Sequence, residues 1–509
     1  MKKINWEHYI KTFNNNDEEL NKQLIDNDHV LEWMQIEIPK FECSDKTIEE
    51  TYYFRWWTFR KHIKNTPEGK IITEFLPDVE WAGRYNSINA AMSHHLSEAR
   101  WLKNGAGLIG EYLDFWLLGS GNACSYSSWM IYAIYEFAIL TNNKKYATSR
   151  FKKLMDYFDK VHDSNYTVHG LYWSYDDRDA MEYSVSGSGL RPTLNSYMYA
   201  NAYALSEIAS WAGRDDQALR YAGIASDLKV AILAKLWDSD AQFFKVVPQV
   251  ERDADDTEFN FARIPKQHNA REAIGFIPWS FGIGETRHDA AWQFLNDGQY
   301  FKAQFGPTTV ERNHPRFMEP SDTHECLWNG PSWPFSTTQT LNGIIKTLQS
   351  TQSKHLQKSD FWQVIKTYAK SHYRQNSEGK TVNWIDENIH PDTGRWLSRD
   401  ILEAWEWRAD KGGYERGKDY NHSAFCDLII RGICGITVNE ENHLIIKPLV
   451  PAGELTYFLI EDVPYKDHKI TVGYDCDGTR YHKGSGIWVE VDGLFKGFWL
   501  ASEEIKIAL

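Results

Sequence analysis

Nothing in this 509-residue chain points to a membrane span, a nucleic-acid groove or a disulfide framework. No uncharged apolar run reaches the roughly 20 residues a spanning helix needs. A formal net charge of -14 supplies no basic footprint for nucleic acid and is in keeping with solubility. Only six cysteines occur: Cys43, Cys124, Cys326, Cys426, Cys434 and Cys476. They form no C-x-x-C pair and are irregularly spaced, so they read as free buried thiols of a reducing compartment. G-x-x-x-x-G-K-[ST] and His-Glu-x-x-His are both missing, so neither a cofactor nor a catalytic metal is expected. Two lysines follow Met1, but no apolar h-region comes after them, and the chain is read as cytoplasmic.

What the chain has in abundance is aromatic surface: 22 Trp, 27 Tyr and 25 Phe. Trp and Tyr combine a flat apolar face with a polar edge. Sugar rings present apolar faces bordered by hydroxyls, so aromatic-lined clefts suit them. A large helical core is the competing use of the same residues.

Residues 1–60 are polar and mixed, with an aromatic cluster from Tyr52 to Trp57. Helical periodicity dominates from about 85 to 435. Stretch 127–140 reads as a buried helix, 145–161 as an amphipathic one. Stretches 194–212 with 217–236, and 333–348 with 361–373, read as helix pairs. Between them lie segments rich in Gly, Pro and aromatics: 103–126, 164–192, 238–285, 302–332 and 377–420. Loops that long inside a compact domain are usually functional. Helix hairpins with elaborate loops, and no fixed-period repeat, predict a closed toroid rather than an open solenoid. After 436, short strands separated by Asp477-Gly478 and Asp492-Gly493 turns predict a small all-β domain. The expected architecture is mainly α: an (α/α)6 barrel over 81–435, a preceding segment 1–80 partly belonging to it, and a β-sandwich over 436–509.

Two acidic segments carry the chemistry. One holds Asp176, Asp177, Arg178, Asp179 and Glu182 among aromatics. The other holds Trp384, Asp386 and Glu387 before a Pro391-Asp392-Thr393-Gly394 turn. Two carboxylates from distant segments are what glycosidic hydrolysis uses, one with its pKa raised to act as acid. The structural alternatives are an ion pair from Asp179 or Glu182 to Arg178 or Arg191, and a turn-side acid at 386–387. Glu415 is a second candidate base, unless it pairs with Arg416 or Lys418. Trp328-Asn329-Gly330-Pro331-Ser332-Trp333-Pro334 offers sugar contacts or a Pro-started helix with a core Trp. Trp81, Arg84, Tyr85, His94, His95 and Glu98 form a further polar cluster.

With these residues in place, the chain resembles the inverting (α/α)6-barrel glycoside hydrolases: family 63 and the mannosylglycerate-hydrolase-like enzymes, with trehalases as distant cousins. Their acid lies in an E-S-G-x-D segment followed by a helix with L-N-S-Y. Here Ala180-Met181-Glu182-Tyr183-Ser184 and Leu194-Asn195-Ser196-Tyr197 hold those places. The resemblance puts the acid at Glu182; with the E-S-G lead missing and Glu for Asp, Asp179 stays in contention. Trp328 to Trp333 resembles W-R-G-P-x-W with Asn329 for Arg. Glu387, Pro391, Thr393 and Gly394 resemble the family's E-x-Y-x-P-x-T-G base segment with Ile389 for Tyr, and Lys447 to Pro451 resembles its P-L-x-P stretch.

The resulting expectation is an inverting, exo-acting glycosidase acting on an oligosaccharide or small glycoside. Glu182 serves as acid and Glu387 as base, with Asp179 and Glu415 as alternatives. Trp81, Arg84, Tyr85, His94, Glu98, Arg191, Trp328, Asn329, Trp333, Trp384 and His422 are expected to bind substrate. The alternatives are an inverting phosphorylase on a similar barrel, a sugar epimerase or isomerase using His94, His95 or His422, and a non-catalytic sugar-binding protein.

Overall fold

The computed structural model describes residues 4–248, 261–500 and 504–509. Part of the long segment expected at 238–285 therefore lies outside the described residues. Helices dominate up to about residue 434 and strands after it.

The helices pack in a closed circuit. Lys46–Lys61 packs on Lys358–Lys370, which packs on Pro334–Ser350, and this meets Pro192–Trp211 through the turn Ile277–Ser280. From there contacts run through Met130–Leu140, Met92–Ala99 and Phe425–Leu428 back to Lys46–Lys61. Asp215–Lys235, Phe151–Asn165, Gly105–Leu117 and Glu7–Asn15 cover this circuit from outside.

Local sequence explains the ends. Asp45 caps Lys46–Lys61 by accepting from Thr47 N and Ile48 N at 3.1 and 3.2 Å. Pro192 and Pro334 occupy first-turn positions, where the missing N–H costs nothing. Gly213, at φ 66°, turns the chain between Pro192–Trp211 and Asp215–Lys235.

Two expectations differ from what is observed. The stretch 145–161 is not one helix but two, Lys144–Ser149 and Phe151–Asn165. They part at Arg150 (φ -104°, ψ 5°), whose guanidinium is drawn to Asp114 by bonds of 2.6 and 2.7 Å. The polar, mixed stretch 1–60 contains the buried helix Lys46–Lys61. Its charges are paired internally: Lys61 Nζ lies 2.7 Å from both Asp17 and Asp419, and Arg55 donates to the Ser423 carbonyl at 2.8 Å. Polarity here marks buried pairing rather than surface.

The C-terminal strands gather into sheets. A five-stranded antiparallel sheet contains Tyr457–Tyr465, His468–Asp475, Gly486–Val491 and Leu494–Trp499, with Lys40–Cys43 from the N-terminal region along its other edge. The register pairs Lys40 with Glu461 and Cys43 with Phe458. A smaller sheet joins Ile436–Thr437, His443–Ile446 and Ile505–Ala508. No helix among the described residues is long and apolar enough to cross a membrane.

Candidate active site

Three segments distant in sequence are stitched together by main-chain hydrogen bonds. Trp328 N donates to the Glu182 carbonyl at 3.2 Å. Ser332 N and Ile389 N exchange bonds with each other's carbonyls at 3.0 and 2.9 Å. The loop bearing Glu182, the Trp328 to Trp333 stretch and the Glu387 segment thus form one framework.

Glu182 follows the short turn Asp177–Asp179 and is half-buried. Its loop is pinned by the buried Asp179–Arg191 pair, Oδ2 to Nε at 2.6 Å. Asp179 also accepts from Ser127 and Ser174 hydroxyls at 2.6 and 3.0 Å. Flanking Glu182, Ala180 (φ 56°) and Tyr183 (φ 66°) sit in the left-handed region. Each such residue costs about 1–3 kcal/mol, which the surrounding contacts must offset.

Glu387 is buried and bonded to Arg416 Nη2, with the Cys326 thiol 3.6 Å from Oε2. Arg416 bridges onward to Glu325, which Lys411 also meets at 3.1 Å. Its neighbour Asp386 is fixed differently. Arg399 Nε and Trp384 Nε1 donate to it at 3.0 and 3.3 Å, and it accepts the Glu387 N–H at 3.0 Å.

A third carboxylate joins them. Glu74, absent from the sequence expectation, is buried; its Oε1 accepts the Tyr420 hydroxyl at 2.8 Å and lies 3.6 Å from His422 Nε2. Burial pushes Glu182 up to about 8, with the charges of Glu387 and the nearby aspartates adding to it. Glu74 is also pushed to about 8, by burial and by Glu387 and Glu182. Glu387 reaches about 7, because Arg416 opposes the effect of burial. Among the described residues, no cation lies within ion-pair distance of Glu182.

Around these carboxyls several buried polar atoms have no hydrogen-bond partner: Glu74 Oε2, both ring nitrogens of His94 and of His422, and Trp328 Nε1. Aromatic contacts link their side chains. Phe335 packs on His422 at 4.4 Å, His94 at 4.7 Å and Trp328 at 6.0 Å. Burial holds both imidazoles neutral by driving their pKa values down. Such unmatched buried donors and acceptors are costly until a polar partner meets them, and so are available to a polar ligand.

Of the expected site residues, the structure brings together Glu182, Glu387, Trp328, Trp333, His94 and His422. Trp333 stacks on Trp328 at 4.5 Å. Trp81 is partly exposed and reaches the group through Arg416, 5.4 Å from its ring. Others are occupied elsewhere. Asp179 and Arg191 hold each other. Glu415 pairs with Lys418 at 3.0 Å and Arg399 at 3.5 Å. Trp384 lies between Arg374 and Arg399, at 3.6 and 4.4 Å from its ring. Glu98 caps Phe425–Leu428, accepting from Cys426 N and Asp427 N at 2.9 and 2.7 Å. Asn329 donates to the Glu319 carbonyl at 2.7 Å. Arg84 and Tyr85 turn to Glu68, at 3.7 and 3.3 Å. Sequence spacing carried no signal for Glu74 and showed Arg416 only as a neighbour of Glu415, because their roles arise only from distant loops meeting. Among the described residues, no group of three or more His, Cys, Asp or Glu is arranged to hold a metal ion.

The mannosylglycerate hydrolase MGH1-like glycoside hydrolase domain matches residues 84–423. The chain belongs to this glycoside hydrolase family. Among solved structures, this MGH1-like chain is similar to one titled a sialidase, with TM-score 0.88 and 33% identity over 98% of its length, and it spans 44% of that protein. It shares the fold of a GH63 mannosylglycerate hydrolase from Thermus thermophilus crystallised with glucose. That likeness has TM-score 0.51 and 11% identity, over 75% of this chain and 98% of the other. A GH78 family rhamnosidase of Bacillus sp. GL1 gives TM-score 0.54 at 12% identity, over 89% of this chain and 41% of its own. At these identities the last two speak for fold alone. The match from residue 84 leaves Glu74 outside the family domain, yet its carboxyl belongs to the same electrostatic group.

Proposed function

We propose that this chain is an inverting, exo-acting glycosidase in which Glu182 protonates the glycosidic oxygen and Glu387 activates water. The observation that carries this reading is the contrast between the two carboxyls. Glu182 lacks a cationic partner and is pushed up to about 8, so it holds its proton at neutral pH. Glu387 is bonded to Arg416, which favours its ionised form. An acid that keeps its proton beside a base that gives it up is the division of labour an inverting glycosidase needs. Family membership supports the reaction class.

The closed helix circuit supports an (α/α)6 barrel over 81–435, with 1–80 contributing to it and 436–509 forming a β-sandwich. Lys40–Cys43 then ties the first segment to the last. Unpartnered groups on His94, His422, Glu74 and Trp328 offer contacts to the hydroxyls of one terminal sugar, which supports exo action. A phosphorylase is disfavoured, because a phosphate would enter beside three carboxyls whose nearest cation, Arg416, already serves Glu387 and Glu325.

A screen of aryl glycosides and disaccharides, with NMR detection of the first-formed anomer, tests the proposal. Net inversion, lost in Glu182→Gln and Glu387→Gln, is expected. Retention of anomeric configuration would overturn the inverting pair, and undiminished turnover in either variant would overturn its role.

A further inference from the structure

Along the loop that carries Glu182, lined in part by its Arg178, Ser186, Gly187 and Ser188, lies a cleft of about 860 Å³. Its walls include Tyr126, Trp173, Tyr175, Lys160, Arg178 and His268, together with several serine hydroxyls. Glu182 itself is not part of the wall. Tyr126 connects the two places: it lines the cleft, and its phenol feels the charges of Glu182 and Glu74.

The cleft is built rather than incidental. Asn89 pins the Tyr126 main chain, accepting from Tyr126 N at 3.0 Å and donating to its carbonyl at 2.8 Å. Ser127 N donates to the Arg178 carbonyl at 2.8 Å, joining this wall to the Glu182 loop. Trp173 is 7% exposed and its Nε1, buried in the wall, has no hydrogen-bond partner. Tyr175 stands edge-on to Trp173 at 4.5 Å and is 57% exposed, so a ring face is open to a ligand.

Its charge is unusual for this chain. Lys160, Arg178 and His268 are the ionisable side chains of basic type in the wall, and none of the described lining residues is Asp or Glu. The clefts around Tyr85, Glu461, Glu285 and Tyr132 each contain at least one carboxylate. Among the described residues Lys160 has no ion-pair partner, and Arg178 Nη1 is bonded only to the neutral Ser125 carbonyl, at 2.9 Å. Asp176 is satisfied by the Ser184 and Ser188 hydroxyls at 3.2 and 3.1 Å.

We propose that this cleft is a second saccharide subsite, taking the part of the substrate beyond the cleaved bond, and that it selects an acidic sugar whose carboxylate meets Lys160 and Arg178. The aromatic faces stack on the sugar ring, the Trp173 N–H and serines meet its hydroxyls, and the two cations meet the charge. The direction of the subsite, beyond the cleaved bond, rests on Glu182 being the acid. The binding itself does not.

The test is calorimetry on the Glu182→Gln/Glu387→Gln protein, so that no turnover intervenes. The probes are tetragalacturonate, a hyaluronan tetrasaccharide and sialyllactose, against cellotetraose and maltotetraose. At least one acidic probe is expected to bind more tightly than both neutral ones. Lys160→Ala with Arg178→Ala is expected to weaken it by about tenfold or more, as loss of charge-assisted bonds predicts. Tyr175→Ala, at an exposed ring, weakens acidic and neutral probes alike and checks the site without disturbing the Arg178 contact. Failure of all three acidic probes to bind, equal binding of neutral probes, or indifference to both sets of substitutions would overturn the subsite. Turnover surviving in the double Gln protein would instead overturn the acid–base assignment and leave the binding result standing.

Discussion

Asp179 and Glu182 are three residues apart in one loop, and Asp386 and Glu387 are adjacent in another, yet each pair has split into opposite conditions. Asp179 is locked to Arg191 and two hydroxyls, and Asp386 to Arg399, Trp384 and a main-chain N–H. Glu182 and Glu387 instead face each other's charge and that of Glu74, and burial drives both upward. A carboxylate saturated by partners stabilises a loop; one whose charge burial penalises, as at Glu182 without a cation and at Glu387 against the pull of Arg416, is available for proton transfer. The first kind holds the second in place.

The comparison breaks most sharply on activity. Glu182→Gln and Glu387→Gln are each expected to lower kcat by about 10²- to 10⁴-fold, the usual worth of a positioned acid or base. The thermal midpoint of Glu182→Gln should stay near that of the parent, while that of Glu387→Gln should fall, because buried Arg416 is left with Glu325 alone. Asp179→Asn inverts the pattern: it leaves Arg191 buried without its counter-charge, at a cost of about 3–5 kcal/mol of stability. A melting curve for Asp179→Asn that overlays the parent would show that the framework role is misassigned.

How far was this division legible in the sequence? The Asp179–Arg191 pair was one of the few partnerships open to reading, since both residues belong to the same loop. So was Glu415 with Lys418, three residues on. Helix positions followed from periodicity wherever one face was apolar. The buried helix Lys46–Lys61 was missed because Arg55, Arg60 and Lys61 gave it a surface-like composition. Arg416 was legible only as a neighbour of Glu415, whereas the fold carries it to Glu387 and Glu325. Glu74 gave no local sign at all, because its setting is made by Tyr420 and His422, more than 340 residues downstream.

pH sharpens the comparison further. Activity should rise as Glu387 ionises near 7 and fall as Glu182 loses its proton near 8, a narrow bell belonging to the coupled group. Stability should move the other way across a wider range. Between the ordinary 4.5 and these raised values, the folded protein binds protons on Glu74, Glu182 and Glu387 that the unfolded chain has released. The folded state is therefore favoured at the acidic end of that window and loses ground as pH rises through it. Thermal midpoints at pH 5 and pH 8 read this directly. Glu74→Gln should flatten the dependence while Asp179→Asn does not, and a dependence untouched by Glu74→Gln would remove Glu74 from the group.

The smallest expected effect lies at Cys326. Its thiol, 3.6 Å from Glu387 Oε2, is a weak donor to the ionised carboxylate, and burial holds the thiol itself protonated. A hydrogen bond to the charged form of an acid lowers its pKa, so removing it raises that pKa. Cys326→Ala should therefore move the acidic limb of the activity profile slightly upward and leave the basic limb, set by Glu182, where it is. Cys326→Ser keeps a donor and should restore the limb. If both limbs moved together, Cys326 would be acting through packing of the whole carboxyl group rather than through Glu387.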